Sequence, residues 1–152
     1  MEIQDNQKKI PQGRTREEIQ QREKIIKDFY AMWIAVNPDK RIYNAHLKAF
    51  IYVRFLSMQE TVEKAARSYK STLAVTYLTE ILELAQTVNY SKPKIGNKKQ
   101  SRFSDLIIMQ YCKKSFGKIK LTVGILRGSK EKIQYCITAI EKTTVQPATN
   151  TQ

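Results

Sequence analysis

Two strictly alternating runs near the C-terminus constrain the fold of this chain more than any other feature. Ile119, Leu121, Val123 and Ile125 alternate with Lys118, Lys120, Thr122 and Gly124, and Ile133, Tyr135, Ile137 and Ala139 alternate with Gln134, Cys136 and Thr138. A period of two sends successive side chains to opposite faces of a strand. Arg127-Gly128-Ser129-Lys130-Glu131 lies between the runs and has turn composition. Pairing Ile125 with Ile133 in an antiparallel hairpin sets Val123 against Tyr135, Leu121 against Ile137 and Ile119 against Ala139. One face is then wholly apolar, and a slip of one residue would set apolar against polar all along the pair. The other face presents Lys120 opposite Thr138, Thr122 opposite Cys136, and an unobstructed Gly124 opposite Gln134, with Lys118 at its end. A glycine inside a strand marks a bulge or a close approach of another part of the chain.

The elements before this hairpin are read from period and capping. Thr15-Arg16-Glu17-Glu18 has the form of a capping box, and Ile19, Ile26, Phe29, Tyr30, Trp33 and Val36 follow at helical spacing. Asn37-Pro38 ends that helix, because proline disfavours helical geometry in the residue before it. Residues 42–56 read either way. Ile42–Leu47 suits a short helix, while the aromatic and β-branched run Phe50–Leu56 favours a strand ending at Ser57. Ser57-Met58-Gln59-Glu60 is a second capping-box pattern. An apolar face then runs from Val62 to Val88, with a break expected at Lys70-Ser71-Thr72, which gives helices over 58–69 and 72–89. Phe103–Tyr111 is a third strand candidate beside 118–126 and 132–141. The expected fold is α+β: two to three helices on one face of a three- to four-stranded antiparallel sheet. Residues 1–14 read as a disordered lead-in, 15–142 as a single domain and 143–152 as a disordered tail.

Charge is concentrated where the strands are. Lys92–Lys132 holds twelve lysines and arginines against Asp105 and Glu131, which leaves +10 of the chain's +13. A sheet that gathers cations is expected to meet a polyanion, and nucleic acid is the commonest one. Five of the cations, Lys92, Lys94, Lys98, Lys99 and Arg102, fall in the loop 92–102, and Phe103 after them is placed to stack on a base. Lys118 and Lys120 extend this set onto the strand. A polar face on an antiparallel sheet is also what a plain solvated surface looks like. Lys64, Arg67 and Lys70 share one side of the middle helix, where they read as solvated or as an extension of the basic surface.

Several classes are excluded by residue type. With one histidine, His46, a His-rich metal site cannot form; Cys112 and Cys136 lie in no CxxC and read as reduced thiols, with a cross-strand disulfide as the alternative. There is no Gly-rich phosphate loop, acids are sparse in the sheet region, and Ser68, Ser71 and Thr72 have no acid–histidine partners. No cofactor or metal is expected. No apolar run approaches the roughly 18 residues of a spanning helix, and the polar start Met1–Ile10 lacks a signal-peptide pattern, so the expected compartment is the cytoplasm.

The helix-to-meander order carries a resemblance. Leu78-Thr-Glu-Ile-Leu82-Glu-Leu-Ala85 leads toward the strand Gly117-Lys-Ile-Lys-Leu-Thr-Val123 and the Thr-bearing strand Tyr135-Cys-Ile-Thr138. Over residues 70–141 this resembles the superfamily that joins barnase, EndoU, colicin-type tRNases and RelE toxins, in outline its phage and mobile-element members. The resemblance implies a metal-free RNA-cleaving site on the open sheet face. Lys120 would hold the phosphate, Gln134 and Thr138 would donate, and His46 would transfer protons. The second histidine of the histidine-pair members is absent, so Tyr111 or Tyr135 would serve as in RelE-like members, although the hairpin register puts Tyr135 on the apolar face. The function expected is nucleic-acid binding, RNA favoured, with a ribonuclease as its enzymatic form. The alternative is a non-enzymatic interaction protein that docks its basic face on an acidic partner, an antitoxin included.

Overall fold

The computed structural model describes residues 10–140. Its elements run α1 (Arg16–Val36), β1 (Arg41–Asn44), β2 (Ala49–Tyr52), α2 (Phe55–Ala65), α3 (Tyr69–Val75), α4 (Leu78–Leu84), β3 (Gln86–Ser91), β4 (Phe103–Lys113), β5 (Gly117–Leu126) and β6 (Lys132–Ala139). The α+β class holds, but the sheet differs from the expected one. It has six strands in the order β1-β2-β6-β5-β4-β3, antiparallel throughout except for β2 and β6, which pair in parallel. The sheet curls around the helices. β1 and β3 are its opposite edges, yet Asn44 at the end of β1 donates to the carbonyls of Leu82 (2.8 Å) and Ala85 (3.0 Å), just ahead of β3.

The helix starts follow local hydrogen bonding. At α1 the expected capping box is present: Glu18 N–H donates to Thr15 Oγ1 at 3.1 Å, and Glu18 reaches back to the Thr15 and Gly13 amides. Arg22, Ile26, Tyr30 and Trp33 form its buried stripe. The second capping box does not form. Arg54 N–H donates to Ser57 Oγ at 2.9 Å, so Ser57 sits in the first turn of α2, and the chain leaves its strand at Tyr52. The 42–56 segment is a hairpin. Asn44 Oδ1 accepts from the amides of His46 (2.9 Å) and Leu47 (2.7 Å), a side-chain turn that cuts the run in two.

The long apolar face from 62 to 88 is three pieces and a strand. α2 ends at Ala65, and Ser68 Oγ caps α3 by accepting from Ser71 N–H at 3.1 Å, so the first break precedes the expected Lys70–Thr72. Thr76 Oγ1 donates back to the Leu73 carbonyl at 2.6 Å, where α3 stops. Ala85 is extended (ψ 146°) and leads into β3, so residues 86–89 are strand and not helix. One cluster of buried side chains joins the layers: Ile26, Tyr30 and Trp33 of α1, Ala65 of α2, Leu73 of α3 and Leu82 of α4 against Ile107, Met109, Ile119, Leu121, Val123 and Ile137. Each such Leu or Ile contributes about 1.5–3 kcal/mol. Within the expected lead-in, Ile10 is buried in this cluster and the Pro11 and Gly13 carbonyls accept from Arg22, so the backbone of 10–13 is held against the domain while Gln12 and Arg14 stay exposed. Residues 1–9 and the expected tail at 143–152 lie outside the described residues.

The β5–β6 ladder keeps the expected register only in its lower half. Ile119 pairs with Ala139, Lys120 with Thr138, Leu121 with Ile137 and Thr122 with Cys136; then Val123 pairs with Gln134 and Gly124 with Ile133. Tyr135 is the extra residue of a bulge. Beyond it the faces of β6 exchange: Gln134 turns into the core, while Ile133 and Tyr135 join Phe103, Leu106 and Leu56 in a second buried cluster on the other face of the sheet. Gly124 is not unobstructed. A Cβ there would lie 2.6 Å from three atoms of the Phe103 ring.

Candidate nucleic-acid interface

The outer face of β4–β6 has two parts. Its upper part is closed by the Phe103–Tyr135 cluster, beneath the loop 92–102 and the first turn of α2. Its lower part is open, with Lys118 and Lys120 exposed on β5, Gln110 and Cys112 beside them on β4, and Cys136 and Thr138 on β6. Lys120 is paired across the ladder with both Gln110 and Thr138. Among the described residues neither Lys118 nor Lys120 has a carboxylate within ion-pair distance. Lys64 of α2 stands at the β6 side. Together with Lys120 it acts on the Cys136 thiol, which burial nonetheless pushes up in pKa and keeps protonated. Cys112 and Cys136 lie on β4 and β6 with β5 between them, and neither is in a disulfide.

The loop 92–102 is pinned rather than loose, and part of its charge is spent internally. Lys99 Nζ lies 2.6 Å from Glu60 Oε2 and 3.2 Å from Glu63 Oε1, and Glu60 is buried. Its hydrogen bonds to these two carboxylates raise the Lys99 pKa, while the Glu63 pKa is held down by the same ammonium. Lys92 pairs with Asp105 at 2.7 Å. The loop backbone is fixed by Lys94 N–H donating to the buried Gln100 side chain (2.7 Å) and Arg127 Nε donating to the Ser101 carbonyl (3.0 Å). Lys94, Lys98 and Arg102 point outward with no ion pair among the described residues.

Several expected site residues are not on this surface. Phe103 is 0% exposed and packs edge-on against Tyr135 with ring centroids 5.6 Å apart, so it offers no face to a base. Gln134 is 0% exposed on the helix side of the sheet: it accepts from Tyr30 Oη and donates to Thr61 Oγ1, both at 2.8 Å. The pattern of alternation hid this, because the bulge at Tyr135 is what exchanges the faces. Tyr135 is buried, and burial raises its pKa first of all. Tyr111 is half-buried and donates to Glu80; burial and that carboxylate push its pKa up to about 12, away from service as a base. His46 is exposed in the β1–β2 turn and lines a shallow hollow with Gln86, Gln110 and Cys112. Gln110 lines that hollow with His46 and is also the ladder partner of Lys120. Thr138 alone of the expected donors faces outward beside Lys120.

Of the middle-helix cations that read as solvated or as an extension of the basic surface, Lys64 stands beside this face, 3.9 Å from Glu60 Oε1. Among the described residues no group of three or more metal-ligating side chains converges, and no helix is long and apolar enough to cross a membrane. No protein-family model matches the chain, and comparisons with curated proteins and with solved structures also give no match.

Proposed function

We propose that this protein binds nucleic acid, single-stranded RNA favoured, along the outer sheet face. The strand would run from Lys118 and Lys120, past Lys64, to the outward cations Lys94, Lys98 and Arg102 of the 92–102 loop. The observation that carries the reading is the pair Lys118 and Lys120: two exposed ammonium groups on one rigid strand, uncompensated among the described residues. Cations fixed on a scaffold meet phosphates without the ordering penalty of a mobile tail. The polar floor of Gln110 and Thr138 adds donors for sugar or base edges. The cations of the loop that are already paired, Lys92 and Lys99, serve in this reading to hold it in place and not as phosphate contacts.

Binding is favoured over cleavage by what surrounds Lys120. Of the groups a metal-free ribonuclease would use, Gln134, Tyr111 and Tyr135 are engaged or buried elsewhere, and only Thr138 stands beside it. Cleavage, which the resemblance to the barnase, EndoU, colicin and RelE superfamily proposes, is read from the same assay. Purified protein is incubated with labelled single-stranded RNA, with and without EDTA, at low and high salt. The five outward cations Lys118, Lys120, Lys94, Lys98 and Arg102, each meeting one phosphate of a single strand, predict a loss of about 130-fold in affinity between about 50 and 200 mM salt. Lys120→Ala is expected to reduce the salt slope by about 0.7 while leaving stability within about 0.5 kcal/mol. RNA binding that ignores salt, or an unchanged slope in the variant, removes this reading. Co-elution with an acidic protein at moderate salt, without RNA binding, replaces it by the protein-docking alternative.

A further inference from the structure

A hollow of about 660 Å³ opens where the residues before α1, the start of α3 and the turn into β5 meet. Arg14, Arg22, Arg67, Lys70 and Lys118 line it; among the described residues no carboxylate lines it, and Glu63 approaches Arg67 from outside at 3.8 Å. Five cations around one concavity repel one another, so the arrangement favours an occupant of opposite sign.

Arg22 makes the case specific. It lies in the apolar stripe of α1 and is 0% exposed. Its Nε donates to the Ala66 carbonyl at 2.7 Å, and its Nη1 donates to the carbonyls of Pro11 and Gly13, both at 2.8 Å. Its Nη2 has no partner among the described residues. A guanidinium taken out of water without a counter-charge is costly, and here burial lowers its pKa, with Glu18 opposing that and Arg14 adding to it. Glu18 does not complete the site. Its carboxylate already accepts from Gly13 N–H (3.0 Å) and Thr15 Oγ1 (2.8 Å). The three bonded N–H groups hold the fork rigid, and Arg22 borders the hollow with its Nη2 donors unpartnered among the described residues, a donor set that suits a phosphate oxygen.

The size and walls narrow the class. Pockets for small organic ligands run from about 300 to 1,000 Å³, so a bare inorganic ion would leave most of this volume unfilled. The half-buried Tyr69 ring and exposed Ile140 supply apolar surface for the rest of a ligand. Concentrated positive charge favours a dianion over the single charge of an internal phosphodiester. We propose that this hollow binds a phosphomonoester of nucleotide size, its phosphate held among Arg22, Arg67, Lys70 and Lys118. Two sources present that group: a free mononucleotide, and the phosphorylated end of a nucleic-acid strand. Lys118 belongs both to the hollow and to the sheet face. The hollow does not depend on the sheet-face reading, since a free nucleotide would fill it even if no strand binds.

The test is calorimetric titration of the full chain with adenosine monophosphate, with adenosine as the phosphate-free control, and with short RNA carrying either a terminal phosphate or a terminal hydroxyl. The expected result is saturable binding of the monophosphate and none of adenosine. Arg67→Ala and Lys70→Ala, both on exposed side chains, should each weaken it about tenfold without changing the melting temperature. Arg22→Met should abolish it, and if that variant fails to fold, the two surface variants carry the test. Phosphorylated RNA that binds more tightly than both the monophosphate and hydroxyl-ended RNA identifies a strand end as the source. A monophosphate that binds as tightly as the phosphorylated strand identifies a free nucleotide. The proposal is overturned if phosphate confers no advantage on either ligand, or if the variants bind as the parent does. Lys120→Ala keeps the two readings apart: it should weaken RNA binding on the sheet face and leave monophosphate binding intact.

Discussion

The upper and lower halves of the outer sheet face belong to the same three strands, yet one is a second hydrophobic core and the other an open cationic surface. At the level of Gly124 the face is sealed: Phe103 lies over the glycine, and Leu106, Ile133, Tyr135 and Leu56 close around it. Four residues lower on the same strand, Lys120 stands exposed between Gln110 and Thr138. What separates them is the bulge at Tyr135, which reverses the sidedness of β6 midway along the sheet. Below it the large apolar residues of β6 face the helices; above it they face the loop. One extra residue thus sets where a partner can lie flat and where it cannot.

The sharpest way to break this arrangement is Gly124→Val. With the new side chain beginning 2.6 Å from the Phe103 ring, overpacking should cost about 3 kcal/mol or expel the ring. Equilibrium urea melts measure the loss. The same substitution on a Phe103→Ala background should cost far less, because its obstacle is gone; equal costs on both backgrounds would mean the ring does not occupy that space. Lys120→Ala on the same strand is the contrast, since an exposed side chain without partners has little folded-state energy to lose.

Gln134→Leu tests the reversal itself. If Gln134 faced solvent, leucine there would be tolerated. In the observed fold it leaves the Tyr30 hydroxyl buried without its acceptor, a loss of about 1–3 kcal/mol. Tyr30→Phe on the leucine background should recover part of that loss, because both ends of the hydrogen bond are then apolar. Urea melts of the single and double variants decide between a buried and an exposed Gln134.

Legibility followed the same boundary. The pairs from Ile119–Ala139 to Thr122–Cys136 could be read from alternation, because each matched apolar to apolar and polar to polar. Above them the pattern Ile133-Gln134-Tyr135 still alternated perfectly, but alternation describes one strand and carries no information on an inserted residue in its partner's ladder. The fold resolved this through a long-range demand, the need of Tyr30 for a buried acceptor, which no local pattern contains. β3 was hidden for a related reason: Leu84, Ala85 and Val88 continue a helical stripe as well as they begin a strand. In β2 the aromatic and β-branched composition did indicate strand, whereas β1 lay in a run that suited a short helix, and Asn44 was the overlooked turn. The cations of the candidate interface were countable from the start, but which of them are spent was not. Lys99 is neutralised by Glu60, and only packing of the loop on α2 brings them together. Arg22 did leave a trace, a cation in the middle of an apolar stripe.

The smallest predicted effect lies on the opposite face of the sheet, level with the open lower half. There Tyr111 and Lys113 of β4 both bind Glu80 of α4, with Lys113 Nζ 2.8 Å from the carboxylate. Burial acts to raise the Glu80 pKa, but the hydrogen bonds from Lys113 and Tyr111 outweigh it, and the carboxyl is held below its ordinary value. A folded-state pKa below the unfolded one means that the stabilisation is complete above the unfolded value and is lost as pH falls through the folded one. The melting temperature of the parent should therefore decline on acidification below about pH 4.5 more steeply than that of Glu80→Gln. At neutral pH the parent should be modestly the more stable, because the pair is partly solvated and its worth is correspondingly reduced. Parallel pH profiles would show that the cluster does not anchor β4 from behind. Divergent ones would show that the strand presenting Gln110 and Cys112 to the open face is held in place by a carboxylate on the other side.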